Sequence, residues 1–562
     1  MIVDAGNLAM VVALLVSVYG VLGSFLGGWR RSSALVESSR YALYSVPILL
    51  LISVYALVHA FVTRDFSVAY VVENSNLAMP TRYTWVAFYA GNAGSLLFIA
   101  FVYSVMAVAV AKSMVRRLPY TLPFATGLLG ILLTFFLFVI VFLANPLDRL
   151  AFALPDGQGI NPLLVHFGMF IHPPMQMAGL VSVALPFSIA MGALMAGRGG
   201  RDEWVDLGRI WGMVSWLILT IGLLLGSWWA YTILGWGGYW AWDPVENSAL
   251  MPWLAMTAFV HSIMVQKRRG MFRMWNIVLV TVAFTLAQMG MFINRGGPVP
   301  SVHSFGQSTM GWLFLVFMGA TLLGSLAVFA WRSGSLKSRE RLDSILSRES
   351  AFLTQNVLFL AVAFVTLWGT IYPVISEATQ GLTITVGRPF FDRVNGPILL
   401  VLVFLMGVGP LLPWRRASAR NVLYALRYPL GSAAIGVVFL LVIGVHQPVA
   451  LTALAVIIMG VGGIVHEWVR GTRSRSRKGE SYPVAFGRLL AANRPRYGGY
   501  VVHLSIAMLA LGAIGSSFYN LQRDIPMRPG ETRELGGYSF TYLGVSERAF
   551  SDRDEGTARF AV

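Results

Sequence analysis

Residues 235–247 read GWGGYWAWDPVEN, a stretch dominated by tryptophan and glycine. Trp236, Tyr239, Trp240 and Trp242 crowd around Gly237 and Gly238, with Trp228, Trp229 and Tyr231 just upstream. Aromatic residues anchor helix ends at a membrane surface because their rings are apolar and their N–H or O–H groups are not. Anchoring needs only about one or two rings per helix end, so this cluster asks for a further explanation. The glycines let a planar body approach the backbone closely. A concave, aromatic-lined surface of this kind suits a flat hydrophobic ligand: a porphyrin, with a quinone or a lipid also fitting. The DPVE that follows has the form of a helix start, with Asp243 as cap, Pro244 in the first position and Glu246 closing a capping box. Asp243 and Glu246 therefore carry a structural reading beside any chemical one. The chain has eight histidines and no cysteine, so it can form no disulfide, thiolate metal site or thiol nucleophile of its own.

These groups have to be positioned by membrane helices. The chain is 56% hydrophobic and only 12% charged over 562 residues, about half the charge of a soluble protein. Its apolar blocks are long enough to cross a bilayer. Candidate spans lie near 8–27, 41–62, 85–111, 121–143, 164–196, 209–234, 248–265, 275–293, 309–331, 351–374, 397–413, 429–444, 448–466 and 499–518. The first has no basic segment before it and no small-residue cleavage site after it, and reads as a retained span. The spans near 85–111 and 164–196 exceed one membrane thickness and are expected to begin as surface helix.

Charge orients this array. The odd-numbered loops hold 30 of the 42 Lys and Arg residues, so the positive-inside rule makes them cytoplasmic. The N-terminus, the aromatic loop and the C-terminal tail then face outward. The net charge of +17 reflects this anchoring and calls for no nucleic-acid partner. Beyond Asn520, alternating polar and apolar residues around a Gly-Gly turn predict short strands. The expected architecture is an all-α polytopic membrane protein of about 14 transmembrane helices over 1–518. A small outward β-rich domain follows over 519–562, breaking off mid-pattern.

Topology then sorts the histidines. His172 in MFIHPPMQ and His303 in PVPSVHSFG fall on the aromatic loop's side, one before it in sequence and one after. Two imidazoles so placed could ligate a porphyrin iron axially. His261 and His503 lie on other spans, each a few residues in from the cytoplasmic surface. At about 1.5 Å per residue their depths agree within a few ångströms. Ionisable residues at such depth are costly and usually functional, and this pair suits a bis-histidine b-type heme if the two helices touch. His446 and His59 could contribute to an outer site. His166 is not on one helical face with His172, and His466 reads as a surface group beside Glu467.

The motif WGGYWAWD matches the WWD domain of heme-handling proteins, within a loop region of about 228–253, and the wider chain resembles the CcmF family of cytochrome c heme lyases of system I maturation. NPLLVHFGMFIHPP, WDPVENSALMPWL, INRGGPVPSVHSF, SRESAFLTQNVLF and GRPFFDRVNGP run in that family's order. The resemblance implies a bacterial inner-membrane protein with its N-terminus and WWD loop in the periplasm. It implies that Trp236, Gly237, Trp240, Trp242 and Asp243 form the catalytic surface, with His172 and His303 holding the substrate heme. It implies that His261 and His503 bind a permanent heme b, which would act as reductant. Partners implied are the CcmE heme chaperone, apocytochrome c with its CxxCH motif, thiol-handling and apocytochrome-binding subunits of the CcmH/CcmI type, and membrane lipid. Two departures stand out. The sequence stops before the final helix expected of the family, and Asn92 and Ala93 stand where relatives often carry a His-Glu pair. The competing function is a transporter, or a heme- or quinone-binding channel without lyase activity. Ion carriage would favour paired carboxylates or lysines within the membrane, which are scarce here. A structural assembly factor that binds no heme is a further alternative.

Overall fold

The computed structural model describes residues 1–235, 238–301, 310–338, 340–550 and 554–562. Trp236, Gly237 and His303 lie outside the described residues. Among the described residues, 14 helices are long and apolar enough to cross a membrane, in agreement with the number expected.

The helices are α1 (Ile2–Arg30), α2 (Ser33–Val62), α3 (Ala69–Asn74), α4 (Thr84–Phe88), α5 (Asn92–Met114), α6 (Leu122–Phe142), α7 (His172–Ser182), α8 (Ala184–Met195) and α9 (Val205–Ile233). They continue with α10 (Pro244–Arg269), α11 (Arg273–Gly296), α12 (Gly311–Arg332), α13 (Arg348–Gln380), α14 (Arg388–Val408), α15 (Ala419–Val442), α16 (Pro448–Ser476), α17 (Tyr482–Ala492) and α18 (Arg494–Phe518). Both overlong candidate spans are broken. The stretch 85–111 divides into short α4 and membrane-length α5, with Tyr89–Gly91 between them. The stretch 164–196 opens with a 3₁₀ turn at Phe167–Phe170 and divides again at Val183. Pro186 explains the second break, because it has no N–H to give the carbonyl of Ser182, where α7 ends.

The chain forms two compact units. The first comprises residues 1–341 and 359–395, the second residues 342–358 and 396–562. In the first, α1 packs along α2 and α6, α7 lies against α9, and α10 runs between α9 and α11. Its largest fully buried side chains include Trp204, Trp229, Tyr103, Phe61 and Phe259. At one end, the segments after α2 and α6 knit together. Val68 bridges Arg149, Leu77 N–H donates to Asp156 at 2.8 Å, and the Tyr89 hydroxyl donates to the Met169 carbonyl at 2.6 Å. Burial raises the pKa of the Tyr89 phenol, which keeps it a donor. At the other end, Asp202 accepts from Gln266 and from Arg273, and Arg198 pairs with Glu203.

In the second unit, α16 packs against α15, α17 and α18. Tyr497 and Tyr500 of α18 join Ile464 and Leu489 in a small core. The tail forms a three-stranded antiparallel sheet in the order β1 (Thr532–Leu535), β2 (Tyr538–Ala549), β3 (Asp554–Ala561). Its first hairpin turns on Gly536 and Gly537, at φ 63° and 83°, the two positive angles that a two-residue hairpin loop needs.

Candidate functional site

The tryptophan loop joins α9 to α10, and its far end is built as its residue types predict. The Asp243 carboxylate accepts from Val245 N–H at 2.9 Å, and Glu246 Oε2 accepts from Asp243 N–H at 3.2 Å and from Ala241 N–H at 2.9 Å. That is a complete capping box with Pro244 in the first turn. It neutralises N–H groups that would otherwise be orphaned at the start of α10. Asp243 has a second task. The Ser301 hydroxyl donates to its Oδ2 at 2.6 Å. The segment that leads to His303 is thereby tied to the loop, although His303 itself is outside the described residues.

Trp242 is held by several contacts of its ring and backbone. Its backbone is left-handed, at φ 60°, a conformation that costs a bulky residue about 1–3 kcal/mol. Three contacts impose it. The indole lies on Phe391, centroids 5.0 Å apart and planes 12° from parallel; its Nε1–H donates to Asp392 at 2.9 Å; and Asn247 Nδ2 donates to its carbonyl at 2.9 Å. Asn247 also reaches Thr370 at 3.0 Å. Trp240 meets Trp242 edge-on at 5.9 Å and 86°. Trp242 is thus a fixed wall and Trp240 leans against it.

His172 begins α7, where Pro173 and Pro174 occupy the first turn. Its ring lies in a slot on α9. Nδ1 is 3.0 Å from the Gly222 carbonyl oxygen. The ring is nearly parallel to Trp229, at 6.3 Å and 18°. A Cβ at Gly226 would sit 2.6 Å from His172 Cε1, and one at Gly222 would sit 2.7 Å from Gln176 Oε1. The two glycines, one turn apart, therefore let α7 approach and leave room for the imidazole. A carbonyl oxygen can only accept, so Nδ1 carries the proton and Nε2 carries the lone pair, the tautomer used for metal ligation. Gly226 precedes the end of α9 by seven residues, placing the imidazole about 10 Å along the helix axis from the start of the loop. Its neighbour His166 stands 5.4 Å from Trp228 and turns its Nδ1 to Gly168 N–H.

His261 lies on α10 with the same tautomer, its Nδ1 2.8 Å from the Thr257 carbonyl oxygen. Thr257 belongs to a reciprocal clasp. Trp216 of α9 donates to Thr257 Oγ1 on α10, and Trp253 of α10 donates to Thr220 Oγ1 on α9, both at 2.8 Å. The two indoles lie 6.1 Å apart at 28°. The helices that carry the loop are thus pinned to each other, and His261 hangs from the same turn. His503 lies on α18 in the second unit.

The remaining histidines stand apart. His59 stands 6.1 Å from Tyr55 within α2, His466 stacks on Tyr428 at 4.2 Å in the second unit, and His446 is exposed between α15 and α16. Asn92 is engaged: its Oδ1 accepts from Arg295 of α11 at 2.7 Å. Among the described residues, no three His, Asp or Glu side chains gather as a metal-ion site. Phe391, Asp392, Gly222, Gly226 and Ser301 were assigned no role from sequence. The two glycines one turn apart in GLLLGSWW were the one local signal; the other three act across long stretches of chain.

Comparison with known proteins identifies the family. Residues 89–297, which include α5 to α11 and the whole loop, match the family model described as cytochrome C assembly protein. The chain is 34% identical to the cytochrome c-type biogenesis protein CcmF of Haemophilus influenzae, over 97% of this chain and 84% of the relative. It is 35% identical to CcmF of Pseudomonas aeruginosa, covering 97% and 82%, and 33% identical to CcmF of Escherichia coli, covering 97% and 83%. A solved structure of cytochrome c heme lyase CcmF superposes with a TM-score of 0.82 at 30% identity, covering all of this chain and 85% of that one. The chain therefore belongs to the CcmF family of cytochrome c-type biogenesis proteins.

Proposed function

We propose that this chain attaches heme to apocytochrome c, at a surface formed by the tryptophan loop, His172 and His303 on the periplasmic face of the inner membrane. The observation that carries the proposal is the His172 slot. A histidine of α7 whose Nδ1 is committed to the Gly222 carbonyl of α9 has the tautomer for iron ligation through Nε2, and it is seated against the helix that leads directly into the loop. Trp242, locked on Phe391 and Asp392, supplies a rigid face for the porphyrin plane. Ser301 is bonded to Asp243 at the end of the loop, and His303, two residues further on in sequence, is taken as the second ligand of the substrate heme.

The substrate heme arrives on the CcmE chaperone, and apocytochrome c supplies the two thiols of its CxxCH motif. Each thioether forms by addition of S–H across a vinyl double bond. Sulfur bonds to one vinyl carbon and hydrogen to the other, so the addition consumes no oxidant or reductant. Nothing in it requires a nucleophile from this chain, in keeping with the absence of cysteine. The protein's part is orientation: the two reactants are held so that thiol and vinyl meet in a reactive geometry. CcmH/CcmI-type subunits would keep the thiols reduced and present them.

His261 and His503 are proposed as the ligands of a resident heme b, on their matched depth in sequence and on the His261 tautomer set by the Thr257 carbonyl. Such a cofactor, when bound, supplies single-electron chemistry suited to reducing the delivered iron. The deciding experiment is coexpression with CcmE and a CxxCH acceptor, scored by covalent heme on a denaturing gel. Heme-bearing acceptor that disappears with His172→Ala supports the proposal. Normal maturation by that variant refutes the outer site.

A further inference from the structure

Away from the tryptophan loop, the first turns of α2, the end of α5 and the start of α9 enclose an open cavity of about 640 Å³. Four cations line it: Arg40, Lys112, Arg116 and Arg117. One acid competes for them, Glu37, which pairs with Arg40 at 3.3 Å. Among the described residues, Lys112, Arg116 and Arg117 have no carboxylate within 4.0 Å. Two cations sit over the Tyr44 ring, the Arg40 guanidinium at 6.0 Å and the Lys112 ammonium at 5.4 Å. Trp211 closes the floor, bonded through Nε1 to Ser113 at 3.2 Å.

The apolar part of the cavity identifies the class of ligand. Ile210 of α9 and Tyr41 of α2 line it and are 38% and 57% exposed, on helices long and apolar enough to span a membrane. A soluble anion would satisfy the cations and leave these side chains uncovered. A glycerophospholipid satisfies both, with its phosphodiester among the four cations and its glycerol and upper acyl carbons over Tyr41 and Ile210. Basic pockets between transmembrane helices on the basic side take headgroups in this way. We propose that this cavity is a binding site for an anionic phospholipid. A zwitterionic lipid fits worse, because its ammonium would enter a cluster that already carries an excess of positive charge.

The test is native mass spectrometry of the full chain in neutral detergent, titrated with phosphatidylglycerol, with phosphatidylethanolamine, and with inorganic phosphate as competitor. Phosphatidylglycerol should be retained selectively and phosphate should not displace it. Arg116→Gln with Arg117→Gln should weaken retention by roughly fivefold per charge, the strength of one basic residue against an anionic membrane surface. Arg473→Gln with Arg477→Gln removes equal charge from α16 and its end and should leave retention unchanged. Equal losses from the two double variants, equal retention of phosphatidylethanolamine, or displacement by phosphate would each overturn the proposal. If the Arg116/Arg117 variant fails to fold, the unaltered chain answers the question. A diazirine-bearing phosphatidylglycerol should crosslink to peptides containing Tyr41 or Trp211, and labelling confined to other peptides rejects the site.

Discussion

The Ser301 hydroxyl donates to Asp243 at 2.6 Å, although the two residues are 58 positions apart and on opposite sides of the α10–α11 hairpin in sequence. One carboxylate thus caps α10, receives Ser301 and sets where the tryptophan loop ends. Ser301→Ala should remove about 1.5 kcal/mol of local stability, the usual worth of a hydrogen bond to a charged acceptor. It should cut covalent heme yield while leaving the helix content of the whole chain intact. Asp243→Ala should do worse on both counts, because it also loses the cap, worth about 1 kcal/mol. Heme yield on a denaturing gel and circular dichroism of the purified variants measure the two effects.

Gly226→Ala separates stability from function. Alanine is favoured over glycine inside a helix by up to about 1 kcal/mol, but its Cβ would sit 2.6 Å from His172 Cε1. The imidazole must move, so heme capture from the chaperone should fall several-fold without loss of expression. Gly319→Ala on α12, where a Cβ meets nothing within 4 Å, should gain the helix term and keep full activity. If the Gly226 variant matured cytochrome at the wild-type level, the slot would have no role in heme capture.

Trp242 owes its orientation to Asp392 and Phe391. Asp392→Ala removes the acceptor of the indole N–H and should let the left-handed backbone at residue 242 relax. The expected result is a large loss of heme attachment with CcmE-bound heme accumulating. Trp242→Phe keeps a ring to stack on Phe391 but lacks the N–H, and should retain an intermediate yield. Equal activity in all three proteins would mean that the position of this ring is immaterial to catalysis.

His261→Ala and His503→Ala should each abolish the low-spin b-type absorption of protein purified from heme-replete cells, whereas His172→Ala should not. Thr257→Val offers a finer check. It keeps the backbone carbonyl that orients His261 but breaks the hydrogen bond from Trp216. The chromophore should persist while the unfolding midpoint falls by the equivalent of about 1 kcal/mol. A colourless wild-type protein would remove the basis for a resident heme.

What could be read in advance followed from locality. The capping box is contained in DPVE, and the 14 spans follow from runs of apolar residues. The excess length of 164–196 pointed to a surface helix at its start; the further break at Val183, set by Pro186, was not anticipated. The support of the loop is of another kind. Asp392 lies 150 positions from Trp242 and Thr370 lies 123 from Asn247, and no periodicity links residues so distant. The positive φ of Trp242 was equally hidden, because a tryptophan does not favour that conformation and adopts it here only under tertiary constraint.

The paired indole–threonine bonds between α9 and α10 also bear on the surrounding lipid. Neither helix can slide along the other by one residue without breaking both bonds at once, in a medium that offers few substitutes. A bilayer of altered thickness is then met by tilting the hairpin as one rigid lever, and the spacing at its aromatic tip stays constant. Heme attachment should accordingly be insensitive to acyl-chain length over a range that would deform a looser pair of helices.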